Sequence, residues 1–103
     1  MFSVIIPLYN KKHYVSRAID SVLNQTFQDF EVIVVNDEST DGGVELVKEK
    51  YGEQVHLLNQ KNQGVSVARN TGIEQAQFPY IAFLDADDYW HSDFLFWMNS
   101  RIQ

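Results

Sequence analysis

Apolar and polar positions fall in blocks along this chain, and the period of the pattern changes from block to block. Phe2 to Leu8 is a short apolar run, too brief for a helix and closed by Pro7-Leu8-Tyr9-Asn10. From Lys12 to Asn24, Val15, Ile19, Val22 and Leu23 recur at helical spacing, with Ser16, Arg17 and Asp20 between them. Phe30 to Val35 is a second apolar run, rich in β-branched residues, and reads as a buried strand. A helix is predicted from about Asp41, with Val44, Val47 and Tyr51 on one face. Val55 to Leu58 reads as a third strand, and Gly64 leads into a helix carrying Val65, Ala68, Ile73 and Ala76. Tyr80 to Leu84 is the fourth strand, and Ser92 is placed to cap a last helix through Phe94, Leu95, Met98 and Ile102.

Strand–helix alternation repeated in this way predicts an α/β, Rossmann-like fold. One domain is expected over residues 1–103, with a mostly parallel sheet of about four strands and helices on both faces. Ligands of such sheets bind beyond the carboxyl ends of the strands, where the strand order reverses. The polar clusters lie in those places: Tyr9-Asn10 after the first strand, Asn36 to Asp41 after the second, and Asp85 to Asp88 after the fourth.

Composition narrows the partners. The chain has 103 residues and a net charge of −6 from 8 basic and 14 acidic residues, which argues against a nucleic-acid partner. It has no cysteine, so disulfides and thiolate metal sites are excluded. No apolar stretch approaches the roughly 18–20 residues that span a bilayer, and the first seven residues read as a strand rather than a signal peptide. The expectation is a soluble, cytoplasmic chain.

Asp85-Ala86-Asp87-Asp88 carries the densest chemistry. Clustered carboxylates at a strand end repel one another unless a cation neutralises them, and hard oxygen ligands suit Mg²⁺ or Mn²⁺. In an extended segment Asp85 and Asp87 point to the same side, one toward the metal and the other toward a metal-bound water or a ribose hydroxyl. The competing reading is an acidic turn before the next helix. Asp37 stands where it can accept a hydrogen bond from the N3–H of uracil, whereas Asp41 is read as mainly structural. The Leu8 and Tyr9 backbone, or the Tyr9 ring, can wall a base pocket. Arg69 is a candidate for the diphosphate, with a solvated position or a salt bridge to Asp85 as the alternatives. Ala68, Gly72 and Ala76 suggest a helix packed closely on the sheet. His13, His56 and His91 lack a metal-ligand spacing, and no Gly-x-Gly-x-x-Gly, Walker or Gly-x-Ser-x-Gly motif occurs.

With those residues in place, the chain resembles the N-terminal part of a family 2 glycosyltransferase of the GT-A fold. The matching segments, in order, are Ser3 to Asn10, Ser21 to Thr26, Glu31 to Asp41, Gly64 to Gly72 and Phe83 to Asp88. The resemblance implies a nucleotide-sugar donor, commonly a UDP-sugar, bound with Mg²⁺ or Mn²⁺ for inverting transfer to an acceptor hydroxyl. It also implies that Pro7, Tyr9 and Asp37 line the nucleoside pocket and that Arg69 lies near the donor. On the same resemblance Asp85 and Asp87 would be the Asp-x-Asp motif, with Asp85 toward the ribose and Asp87 toward the metal.

Members of the family often act on saccharide or lipid-linked acceptors in bacterial polysaccharide biosynthesis, so the resemblance is compatible with a cytoplasmic chain working peripherally at the inner face of the membrane. Two departures from its pattern stand out. Asn36-Asp37-Glu38-Ser39 replaces the usual Asp-Asp-Gly-Ser, so the turn at Glu38 is expected to differ. The family also continues further, and its general base is expected beyond Gln103. Phe94-Leu95-Phe96-Trp97-Met98 is then expected to leave an apolar patch that favours self-association. A non-catalytic module binding a nucleotide or partner chain is the alternative. A phosphoacceptor receiver domain is disfavoured, because the first strand ends in Pro7-Leu8-Tyr9-Asn10 and not in an acidic pair.

Overall fold

Every residue of the first strand, β1 (Phe2–Leu8), is buried, as the continuous apolar run requires of a strand covered on both faces. The computed structural model describes residues 1–102. After β1 come α1 (Lys12–Leu23), β2 (Phe30–Asp37), α2 (Gly43–Tyr51), β3 (His56–Gln60), α3 (Val65–Gln75), β4 (Tyr80–Phe83) and α4 (Phe94–Ile102). The four strands form one parallel sheet in the order β3-β2-β1-β4. This is the α/β architecture expected of the alternation.

Residues of β1 alternate between two cores. Phe2, Val4, Ile6 and Leu8 join Val32 and Val34 against α1, α2 and Leu95, while Ile5, Ile33 and Val35 face Ala68 of α3. Helices therefore cover both faces. On the thinner side α3 lies almost on the backbone of the sheet. A Cβ built on Gly72 would come within 2.5 Å of Ile5 Cγ2, so only glycine permits that approach.

The strand order places the site. The chain steps outward from β1 to β2 to β3, then crosses back to lay β4 on the far side of β1. The gap between β1 and β4 is thus the point where strand order reverses. Pairing of β4 with β1 runs only from Phe2–Tyr80 to Ile5–Phe83, and Leu84 N–H then donates to the Ile5 carbonyl at 3.0 Å. Pro7 has the same parity as Ile5, so its missing N–H falls on the side where β4 has already ended. Proline is tolerated in a fully buried strand for that reason.

Several element ends differ from expectation, β2 running on to Asp37 and β4 stopping at Phe83. β3 starts at His56 and continues to Gln60, because β2 still offers Asn36 and Asp37 as partners for Asn59 and Gln60. α2 starts at Gly43 behind a left-handed Gly42 (φ +88°). Asp41 nevertheless supplies the acceptor, its Oδ1 taking the Gly43 N–H at 2.9 Å. α4 starts at Phe94, and Ser92 is not its cap. Phe94 N–H donates to the His91 carbonyl, and Asp93 N–H donates to His91 Nδ1. The Ser92 carbonyl is engaged instead by the Thr26 N–H.

Candidate functional site

Beyond the ends of β1 and β2 two loops are stitched together by short polar side chains. Asn10 (φ +50°) donates its N–H to Ser39 Oγ at 3.0 Å and accepts the Thr40 N–H at 2.8 Å. Asp41 Oδ2 accepts the Lys12 N–H at 2.9 Å, and Asn36 Oδ1 closes the β2 turn by accepting from Ser39 N–H at 3.0 Å. Within that turn Glu38 has φ +61°. This is the left-handed conformation that glycine adopts freely, here taken by a residue that carries a side chain.

Asp37, at the last position of β2, is 4% exposed. Its Oδ1 accepts from Gln60 Nε2 at 3.0 Å and from Gln63 N–H at 2.8 Å, and its Oδ2 accepts from Gly64 N–H at 3.0 Å. Burial alone would raise the pKa of this carboxyl. The three hydrogen bonds outweigh burial and hold it below its ordinary value, so Asp37 is a carboxylate at neutral pH. It fixes the loop that launches α3, and its Oδ2, with a single donor, keeps accepting capacity.

Asp85 to Asp88 form a turn closed by Asp88 N–H donating to the Asp85 carbonyl at 3.0 Å. The segment is not extended, because strand pairing has stopped and the chain must bend toward α4. The turn still brings Asp85 and Asp87 to one cavity, while Asp88 Oδ1 takes the Tyr89 N–H. Each of the two facing carboxylates has a basic partner. Arg69 Nη2 lies 3.0 Å from Asp85 Oδ1, and Lys11 Nζ lies 3.5 Å from Asp87 Oδ2. Arg17 Nη2 donates to the Asp87 carbonyl at 3.1 Å. The Arg69 Nε is buried and without a hydrogen-bond partner among the described residues.

These elements enclose a cavity of about 530 Å³ at the β1/β4 reversal, and Pro7, Tyr9, Asp37, Arg69, Asp85 and Asp87 all line it. Every site residue proposed from sequence is therefore in one place. Lys11, Asn62 and Val65 also line it and were not singled out. Lys11 had a signal, a cation directly after Tyr9-Asn10. Asn62 had only its position after the third strand. The histidines lie outside the cavity lining; His91 stacks on Trp97 at 5.0 Å, and His56 Nε2 is 3.6 Å from Glu31 Oε1.

No group of three or more His, Asp or Glu side chains able to hold a metal occurs among the described residues. Two half-exposed carboxylates, Asp85 and Asp87, suit a hard divalent ion that keeps its waters and shares a diphosphate. The donor set fits Mg²⁺ or Mn²⁺ in that manner and not as a closed protein cage. No helix among the described residues is long and apolar enough to cross a membrane. In α4, Leu95 is fully buried and Phe94 stacks on Trp90, while Phe96 and Trp97 remain 54% and 49% exposed.

The fold is an α/β domain whose parallel sheet has its crevice at the β1/β4 reversal and an acidic turn after β4, and it is the solved glycosyltransferase structures it superposes on that make its class GT-A. The sequence agrees: residues 3–98 match the profile described as "Glycosyl transferase family 2", and the chain belongs to that family. It is 43% identical over 96 residues to the putative teichuronic acid biosynthesis glycosyltransferase TuaG of Bacillus subtilis, covering 90% of this chain and 38% of TuaG. The crystal structure of S. aureus TarS (residues 1–349) in complex with UDP superposes with a TM-score of 0.83 at 34% identity, covering 98% of this chain and 31% of TarS. The mannosyltransferase PcManGT of Pyrobaculum calidifontis, in complex with GDP-Man and Mn²⁺, superposes with a TM-score of 0.80 at 27% identity, covering 91% and 30%. The chain thus spans less than two fifths of these relatives.

Proposed function

We propose that this chain is the donor-binding part of a glycosyltransferase. It binds a nucleotide-sugar, preferentially a UDP-sugar, with Mg²⁺ or Mn²⁺ for inverting transfer of the sugar to an acceptor hydroxyl. The observation that carries this reading is the convergence of Tyr9, Asp37, Arg69, Asp85 and Asp87 on one cavity at the sheet reversal. A UDP complex of TarS and a GDP-Man and Mn²⁺ complex of PcManGT on the same fold support it.

In this reading Pro7 and Tyr9 wall the nucleoside, and the Asp37 carboxylate accepts the imide N–H of uracil. Asp85 faces the ribose. Asp87, with Asp85, holds the cation, whose charge would offset that building on the departing nucleoside diphosphate. Arg69 turns its guanidinium fork of donors to the phosphate oxygens. The proposed acceptors are the saccharide or lipid-linked molecules that the family resemblance implies, and the similarity to TuaG, named for teichuronic acid biosynthesis, is consistent with bacterial polysaccharide synthesis.

Replacing Asp87 tests the reading. Asp87→Ala should abolish Mn²⁺-dependent UDP binding in a calorimetric titration while leaving the circular dichroism spectrum unchanged. Undiminished Mn²⁺-dependent affinity in that variant contradicts the assignment.

A further inference from the structure

We propose that Lys11 is a diphosphate-binding residue that serves as the counter-ion of Asp87 until a divalent cation takes that carboxylate. The inference rests on the donor-binding reading and adds a residue to it. Lys11 lines the cavity, and its Nζ is 3.5 Å from Asp87 Oδ2. Both side chains are about half exposed, at 44% and 50%, and Lys11 makes no other ion pair among the described residues. A single long contact of this kind is weak and readily exchanged.

The backbone of Lys11, by contrast, is fixed. Its carbonyl accepts from the N–H groups of Tyr14 and Val15, each at 2.9 Å, and the Lys12 N–H is held by Asp41. The ammonium therefore sits on a flexible stem rooted at a rigid point of the cavity wall. Asp85 and Asp87 are balanced by Arg69 and Lys11, two negative charges against two positive. Once Asp87 ligates a divalent cation, Lys11 meets a like charge and must leave that carboxylate. An incoming diphosphate is the anion available to it within the cavity. Lys11 then grips from the α1 side what Arg69 grips from the α3 side.

Two opposite effects of one substitution test this. Uptake of Mn²⁺ alone, read by electron paramagnetic resonance, should be about two- to fivefold tighter in Lys11→Gln than in the unmodified chain, because a weak competing cation has gone. Affinity for UDP at saturating Mn²⁺, read by calorimetry, should fall about tenfold with the lost charge-assisted bond. Lys11→Arg should stay within about threefold of the unmodified chain for UDP, since it restores the charge. Equal or weaker Mn²⁺ uptake by Lys11→Gln, or unchanged UDP affinity, overturns the proposal. An unmodified chain that binds UDP beside an indifferent Lys11→Gln overturns this inference alone. An unmodified chain that binds no UDP removes the donor-binding reading and this inference together.

Discussion

Glu38 pairs a side chain with a backbone conformation that disfavours one. Its φ of +61° costs an L-residue roughly 1–2 kcal/mol against the right-handed region. The turn is held nonetheless, because Asn36 Oδ1 accepts the Ser39 N–H and Ser39 in turn meets Asn10 and Leu8. Asn36 lacks the charge of an aspartate but keeps the acceptor that closes the turn. Its Nδ2 also donates to Asn59 Oδ1 at 3.0 Å, a bond that a carboxylate would not make. Strain without a contact to explain it predicts that removal is favourable. Glu38→Gly should stabilise the chain by about 0.5–1 kcal/mol, the relief of strain less the extra entropy of an unfolded glycine. Urea unfolding of the two proteins measures the difference. A destabilised variant would mean that the Glu38 side chain contributes an interaction outweighing the strain.

α3 links sheet packing to the site. Its small residues were readable as a packing face, and Gly72 is the position where the approach is closest. Gly72→Ala drives a methyl into Ile5 and must lift the helix, at a cost of about 1–3 kcal/mol. Ala68 and Arg69 lie on the same helix and line the cavity, so UDP affinity should fall along with the melting temperature. A variant with lowered melting temperature but unchanged UDP affinity would show that the helix shift spares the cavity. The central strands β1 and β2 were legible for a simple reason: parallel strands buried on both faces read as unbroken apolar runs, whereas the edge strands β3 and β4 are partly exposed. The loops were harder. Asp37 holds Gln63 and Gly64, residues 26 and 27 positions away, and no local pattern announces such a bond. The bend at Asp85 to Asp88 depends likewise on where β4 stops pairing with β1, and the start of α4 on which groups His91 engages. Charge type and strand-end position located the site residues, while their tertiary partners fixed their geometry.

Across the whole molecule, charge is distributed against its average. The net charge is −6, yet Lys11, Arg17 and Arg69, three of 8 basic residues, gather around the acidic turn after β4. The loops facing that turn are tied by carboxylates, which makes their integrity depend on pH. Burial would raise the pKa of Asp37 and of Asp41. Hydrogen bonds from Gln60, Gln63 and Gly64 in the first case, and from Lys12 and Gly43 in the second, lower both overall. A carboxyl whose folded pKa lies below its unfolded value contributes stability that is fully present above the unfolded value, near pH 4, and is lost as pH falls through the folded one. The unfolding free energy should therefore be level near neutrality and decline below about pH 4. Asp41→Asn isolates one contribution. It retains a single side-chain acceptor where the carboxylate serves both the Lys12 and Gly43 N–H groups, so it should be about 1 kcal/mol less stable at neutral pH. Its decline in acid should also be shallower than that of the unmodified chain, because one titrating group has been removed. Urea titrations of both proteins at about pH 6.5 and about pH 3.5 measure the two slopes. Parallel slopes would assign the acid sensitivity to carboxylates other than those that tie the β1 and β2 loops together.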